Sequence, residues 1–214
     1  MWCDDRMTAK EPAMPSDAPS AIGRPGSYSK GVARRQEILD RAIEVFQERG
    51  ADGTSLRRIA GAIGVSHAAL LHYFDSREQL LVAVYEHAEK RRDETVVDLP
   101  EPERGIDIMI EAANANIEVP GLVQLYSTLV AASLEADAGP SREYFTARFE
   151  RVREDLEQRL RREQAEGRMR ADVDVRHVAA LIVAASDGLQ IQWLLEPSVE
   201  LQASLETFGK LLAP

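Results

Sequence analysis

Side chains able to do chemistry gather in one stretch, Thr54–Leu81, which reads TSLRRIAGAIGVSHAALLHYFDSREQLL. It holds two of the four histidines, the hydroxyls of Thr54, Ser55, Ser66, Tyr73 and Ser76, and the cations Arg57, Arg58 and Arg77. These types do not assemble a catalytic centre. The chain has one cysteine, Cys3, no Gly-rich phosphate loop and no nucleophile motif, so it is expected not to be an enzyme. His67 and His72 stand five apart and fall on different faces of a helix, which argues against a metal site. No cofactor is expected. What remains is hydrogen bonding and positive charge on short helices.

The elements that must position these groups are legible in the same stretch. A first helix, about Gly31–Arg49, carries Ile38, Leu39, Ala42, Ile43 and Phe46 on one face and stops at Gly50. Thr54 or Ser55 caps a second helix whose inward positions are Leu56, Ile59, Ala60 and Ile63. Gly64 ends it, relieving the strain of a tight bend through Ala62-Ile63-Gly64-Val65-Ser66. Ser66 caps a third helix, about His67–Tyr73. Ser76, with Gln79 three residues on, forms a capping box for a fourth that ends near Arg92. Two short helices around such a turn present the second of them to a major groove.

The segment resembles the DNA-binding domain of the TetR/AcrR family of repressors. The matching residues are Thr54-Ser55, Ile59-Ala60, Gly64-Val65-Ser66, Leu70-Leu71-His72-Tyr73-Phe74 and Arg77-Glu78-Gln79-Leu80, within about residues 31–92. More loosely, Val173–Pro197 is similar to a penultimate helix common in that family. The resemblance implies an all-α fold of about nine helices. It divides into an arm over 1–29, a helix-turn-helix domain over 30–92, and a ligand-binding and dimerisation domain over 93–214. It also implies roles. Ser66, His67 and Ala68 face base edges, with His67 donating to an acceptor such as guanine N7 and Ala68 meeting a thymine methyl. Thr54, Ser55, His72, Tyr73 and Arg77 hold phosphates, as do Arg34 and Arg35. Tyr73 has a second reading as a core aromatic. Two departures stand out: Leu71 replaces a tyrosine that reaches phosphate in many relatives, and Arg77 replaces a lysine.

Beyond two prolines in Asp98–Pro102, five more helices are expected, about Arg104–Glu118, Gly121–Ala136, Pro140–Glu166, Asp174–Leu195 and Ser198–Leu212. In the third of these, Phe145, Phe149, Val152, Leu156 and Leu160 form one stripe. Asp155–Arg159 and Glu157–Arg161 are supporting i,i+4 pairs. The fourth is apolar on more than one side: Val175, Val178, Ile182 and Leu189 on one, Leu181, Ile191 and Leu195 on another. Such a helix must be covered twice. It is either the centre of a monomer or, with the last helix, a homodimer interface. Polar residues among apolar neighbours nominate a small-molecule pocket: Asn114, Asn116, Gln124, Tyr126, His177, Gln190 and Trp193.

Charge is uneven. Arg24–Arg92 has 12 basic and 9 acidic residues, whereas Asp93 onward has 12 and 23, against a net charge of −10 for the chain. A basic first part beside an acidic second part suits an anionic partner for the first, and the resemblance implies that this partner is double-stranded DNA with a palindromic operator. Prolines 12, 15, 19 and 25 without an apolar period read as a disordered arm. The one cysteine, the lack of a signal peptide and the shortness of the apolar stretch near Ala179–Ala185 give a cytoplasmic, non-membrane expectation. The expected function is a repressor released from its operator by a small-molecule inducer. A helical scaffold without sequence-specific DNA binding is the alternative.

Overall fold

The computed structural model describes residues 25–49, 56–96, 102–135 and 137–214. Thr54 and Ser55 lie outside them, as does most of the N-terminal arm. Nine helices and no strand occur among the described residues, which is the all-α fold expected. They are α1 (Pro25–Arg49), α2 (Leu56–Ile63), α3 (His67–Tyr73), α4 (Arg77–Val96), α5 (Gly105–Ile117), α6 (Pro120–Glu135), α7 (Pro140–Ala165), α8 (Val175–Leu195) and α9 (Leu201–Leu211).

Three boundaries differ from the sequence reading. α1 starts at Pro25, six residues before Gly31, so the end of the supposed arm is helical. Proline at a first helical position costs no hydrogen bond and presets φ, so Pro25 opens the helix rather than excluding it. α4 continues to Val96, four residues beyond Arg92, so the 92/93 boundary falls inside a helix. α9 begins at Leu201 rather than Ser198, because a turn closed by Val199 N–H donating to Glu196 O at 3.0 Å occupies the start.

The turn before α3 is built as its residues dictate. Gly64 sits at φ 75°, and Val65 N–H donates back to Ala60 O at 2.9 Å, the six-to-one bond that terminates a helix at a left-handed glycine. Ser66 then caps α3, its hydroxyl accepting from Ala69 N–H at 3.0 Å. Nothing lies within 4 Å of a Cβ placed on Gly64, so Gly64→Ala is strained only through its backbone. The expected loss is about 1 kcal/mol, and Ser66→Ala should cost a similar amount, both read from urea unfolding midpoints.

Two apolar clusters hold the chain together. The first packs Ile38, Ala42 and Phe46 of α1 against Ile59, Leu70, Phe74 and Leu80, and runs on into Leu125, Leu129 and Phe145 of α6 and α7. The head is therefore seated on the body. The second joins Ile106 and Ile110 of α5, Leu156 and Leu160 of α7, Val178 and Ile182 of α8, and Leu205 of α9. In the α7 stripe, Phe145, Leu156 and Leu160 are buried, while Phe149 and Val152 are half-buried. Both supporting pairs form, at 3.0 Å for Arg159–Asp155 and 2.6 Å for Arg161–Glu157.

α8 buries Val175, Val178 and Ile182 and leaves Leu181, Ile191 and Leu195 at 56%, 47% and 83% exposure. The two apolar sides read from sequence are thus one covered and one open. By length and composition alone α8 would also span a bilayer, which the short contiguous stretch at Ala179–Ala185 did not suggest.

Candidate DNA interface and effector chamber

Leu70 anchors α3: it is 1% exposed and packs beside Phe74 against α1 and α2. That anchor turns Ser66, His67, Ala68, Leu71 and His72 to the surface. Arg77, at the start of α4, is exposed too, at a helix N-terminus where backbone N–H groups also favour phosphate. Tyr73 is half-buried and packs on the first cluster, its ring edge-on to His72 at 5.3 Å between centroids. The core reading of Tyr73 thus fits its ring. Arg35 stacks on the face of Phe74, with Cζ 4.8 Å from the centroid. Arg34 pairs with Glu37 at 2.6 Å. Exposed pairs of that kind contribute little and exchange readily for a phosphate.

The residues nominated for a pocket do not form one set. Tyr126 and Gln190 are buried, Gln124, Asn116 and Trp193 are half-buried, and Asn114 and His177 are exposed on the surface. Tyr126 donates to Asp187 Oδ2 at 2.8 Å. Asn116 Nδ2 donates to Gln190 Oε1 at 2.5 Å, and Gln190 Nε2 donates on to Ser186. Trp193 packs on the second cluster instead.

Around Tyr126 lies a packed polar and aromatic cluster, most of whose members the sequence did not nominate. Tyr85 of α4, Tyr126 of α6, and Tyr144 and Phe145 of α7 stand with ring centroids 5.1–6.2 Å apart. The Arg148 guanidinium lies 5.3 Å from the Tyr126 centroid and 5.9 Å from that of Tyr85. Its Nε donates to Glu89 Oε1 at 2.7 Å, and Tyr144 donates to Glu89 Oε2 at 2.8 Å. Arg92 reaches from Glu89 to Asn116, joining this group to the Asn116–Gln190 chain. Tyr85, Glu89 and Arg92 share one face of α4 at i, i+4, i+7, and Tyr144 and Arg148 share one face of α7. That periodicity was the signal available in the sequence.

Burial sets the chemistry of the cluster. It pushes the Tyr85 hydroxyl up to about 12, and raises Tyr126 and Tyr144 further, helped by Asp187 and Glu89 respectively. Burial also raises Asp187, and the Tyr126 hydrogen bond only partly opposes it. Burial alone would raise Glu89, but Arg148 and the Tyr144 hydrogen bond outweigh it and hold Glu89 below the usual carboxylate range. No group of three or more metal-ligating side chains occurs among the described residues.

A helical head with a capped, outward-facing helix after a glycine turn, seated on a helical body, defines a helix-turn-helix DNA-binding regulator. Comparison with known proteins agrees. Residues 38–84 match the model of bacterial regulatory proteins of the tetR family, and residues 122–212 match that of the BetI-type transcriptional repressor C-terminal domain. The HTH-type transcriptional repressor AcnR of Corynebacterium efficiens is 31% identical over 160 residues, covering 74% of this chain and 81% of that one. Two solved structures share the fold. One is a regulator from Saccharomonospora viridis in complex with choline (TM-score 0.66, 21% identity, 84% of this chain and 95% of that one). The other is FadR from Bacillus subtilis in complex with stearoyl-CoA (TM-score 0.59, 19% identity, 83% and 96%). The chain belongs to the TetR family of transcriptional regulators.

Proposed function

We propose that the protein is a cytoplasmic homodimeric repressor whose two heads read the halves of a palindromic operator and are released when a small molecule binds in the body at the polar cluster around Tyr126. The single observation that carries this reading is α3: a Ser66-capped helix, anchored by Leu70, that turns His67, Ala68, Leu71 and His72 outward together. A scaffold has no need of that arrangement. Residues 30–92 form the DNA-binding unit and 93–214 the effector and dimerisation unit, with α4 common to both. Ser66, His67 and Ala68 face base edges. Thr54, Ser55, His72, Tyr73, Arg77, Arg34 and Arg35 hold the backbone and set register.

The dimer is supported by α8. His177, Leu181, Ala184, Gly188, Ile191 and Leu195 follow one another at intervals of four and three residues, a seam down the open side of the helix. Gly188 has open space around its Cβ position, so a partner helix has room to come close. Polar groups buried on the other side, Ser186 and Gln190, favour a protein partner over lipid. His177 then belongs to the seam.

Effector release is supported by the buried polar cluster around Tyr126, which draws on α4, α5, α6, α7 and α8, shares α4 with the head, and offers polar groups to a small molecule that opens it. The choline and stearoyl-CoA complexes show that this fold takes small molecules in related regulators. An effector shifts the operator equilibrium only by as much as it prefers the released arrangement.

Selection of genomic fragments by the purified protein tests the reading. A short palindrome should be enriched, and the His67→Ala/Arg77→Ala double variant should lose it. Enrichment of no sequence at moderate salt would leave only charge-driven binding and favour the scaffold. Leu71, which cannot donate to phosphate, fits apolar contact with a thymine methyl. Replacing thymine by uracil in the recovered half-site should weaken wild-type binding by about fourfold at one position, the worth of one buried methyl. Leu71→Ala should be insensitive to that replacement, and equal sensitivity would remove Leu71 from base reading.

A further inference from the structure

Glu78 follows Arg77 in the first turn of α4, yet its carboxylate serves a different helix. Ser141 N–H, at the start of α7, donates to Glu78 Oε1 at 3.0 Å across 63 residues of sequence. Gly139, which caps α7, adopts φ 151°, and a Cβ there would stand 3.5 Å from the same oxygen. Backbone of that conformation so close to the carboxylate suits glycine. Ser141 itself is fully buried, and its hydroxyl has no hydrogen-bond partner among the described residues, so it does not cap the helix in place of Glu78. One anion therefore lies at the positive ends of two helices, α4 and α7.

The second attachment of α7 to α4 is Glu89, three turns further along α4, which receives Tyr144 and Arg148. The first attachment adjoins Arg77, proposed above to hold phosphate, and the second lies in the buried polar cluster.

We propose that Glu78 is a positioning residue that couples the body to the DNA-binding head: through it, any shift of α7 is passed to Arg77 and α3. α4 alone would transmit only its own tilt. With Glu78 bonded to Ser141, α7 and the start of α4 move together, and loosening Tyr144 or Arg148 from Glu89 frees α7 to carry the head with it. The inference rests on the regulator reading.

Linkage makes the effect reciprocal, so DNA serves as the probe and no inducer is required. Hydrogen exchange is measured on the α7 first turn, with and without the selected palindrome, in the full-length protein. The α8 amides act as internal standard. In the wild type, operator should slow exchange at residues 141–143 by about fivefold, a modest coupling. Glu78→Ala should still select the same palindrome, yet show equal exchange with and without it. Glu78→Gln keeps an acceptor oxygen and should keep part of the slowing. If Glu78→Ala loses helicity, a reduced slowing in Glu78→Gln carries the same conclusion. Equal slowing in wild type and in a folded Glu78 variant would overturn the proposal, as would no slowing in a wild type that binds operator. Failure of the wild type to select any palindrome would instead overturn the regulator reading beneath it.

Discussion

Leu181→Glu, or Ile191→Glu, is expected to give a folded monomer whose operator affinity is lower by roughly 100-fold or more. The side chains are 56% and 47% exposed in the single chain, so a carboxylate there disturbs no packing within it. In the proposed dimer the same carboxylate would face its symmetry mate across the α8 seam, buried and opposed by like charge. Loss of the dimer removes the gain from engaging two half-sites at once, which for linked modules runs from about 10²-fold upward. Sedimentation velocity reads the mass, and anisotropy titration reads the affinity. A Leu181→Glu protein that stays dimeric would move the interface elsewhere. Leu134, 78% exposed on α6, is a fitting control, since Leu134→Glu should change neither quantity.

The second large effect falls on stability. Arg148→Ala should destabilise the protein by about 3 kcal/mol, because it leaves Glu89 buried without its main partner. Side chains of the pair are only 14% and 11% exposed, and their contact is 2.7 Å. For a chain of this size that loss lowers Tm by roughly 10 °C. Glu89→Gln should be milder, since the amide still accepts from Tyr144. The pH dependence has a definite sign. Glu89 is held below the usual carboxylate range in the fold, so its contribution is present above the unfolded value of about 4.3 and is lost as pH falls through the folded one. The stability gap between wild type and Glu89→Gln should therefore close in acid. A gap independent of pH would show that the ionised carboxylate adds nothing.

Legibility of the sequence followed the range of the interactions. The turn and α3 were readable to the residue, because Gly64, Ser66 and Ala69 act on neighbours within five positions. The capping box before α4 was nearly so: Ser76 accepts from Gln79 N–H at 3.0 Å as expected, while the Gln79 side chain accepts from Asp75 N–H rather than from Ser76. The start of α1 was misplaced because proline and glycine near Pro25 read as breakers, although proline is at home in a first turn. The open side of α8 was visible as apolar periodicity exceeding what one core can cover.

Periodicity could place some members of the cluster on shared faces but not pair them, since its bonds join residues far apart in sequence: Glu89 with Arg148, Tyr126 with Asp187, Asn116 with Gln190. Composition suggested Asn114 and His177 as readily as Gln190. Only the crossing of helices decides which side faces inward, and Asn114, next to the buried Ala113, turns out. Glu78 stood in the sequence only as part of the Arg77-Glu78-Gln79-Leu80 match, with no local sign of its partner on α7.

The most direct measurement is the affinity of the protein for its selected palindrome before and after insertion of five base pairs at the centre. Two heads held by the proposed α8 seam would read half-sites about one helical turn apart, roughly 34–36 Å. Half a turn of added DNA carries the second half-site to the opposite face of the duplex. Affinity should fall to that of a single half-site. Undiminished affinity for the lengthened operator would contradict a dimer that reads both halves through two fixed heads.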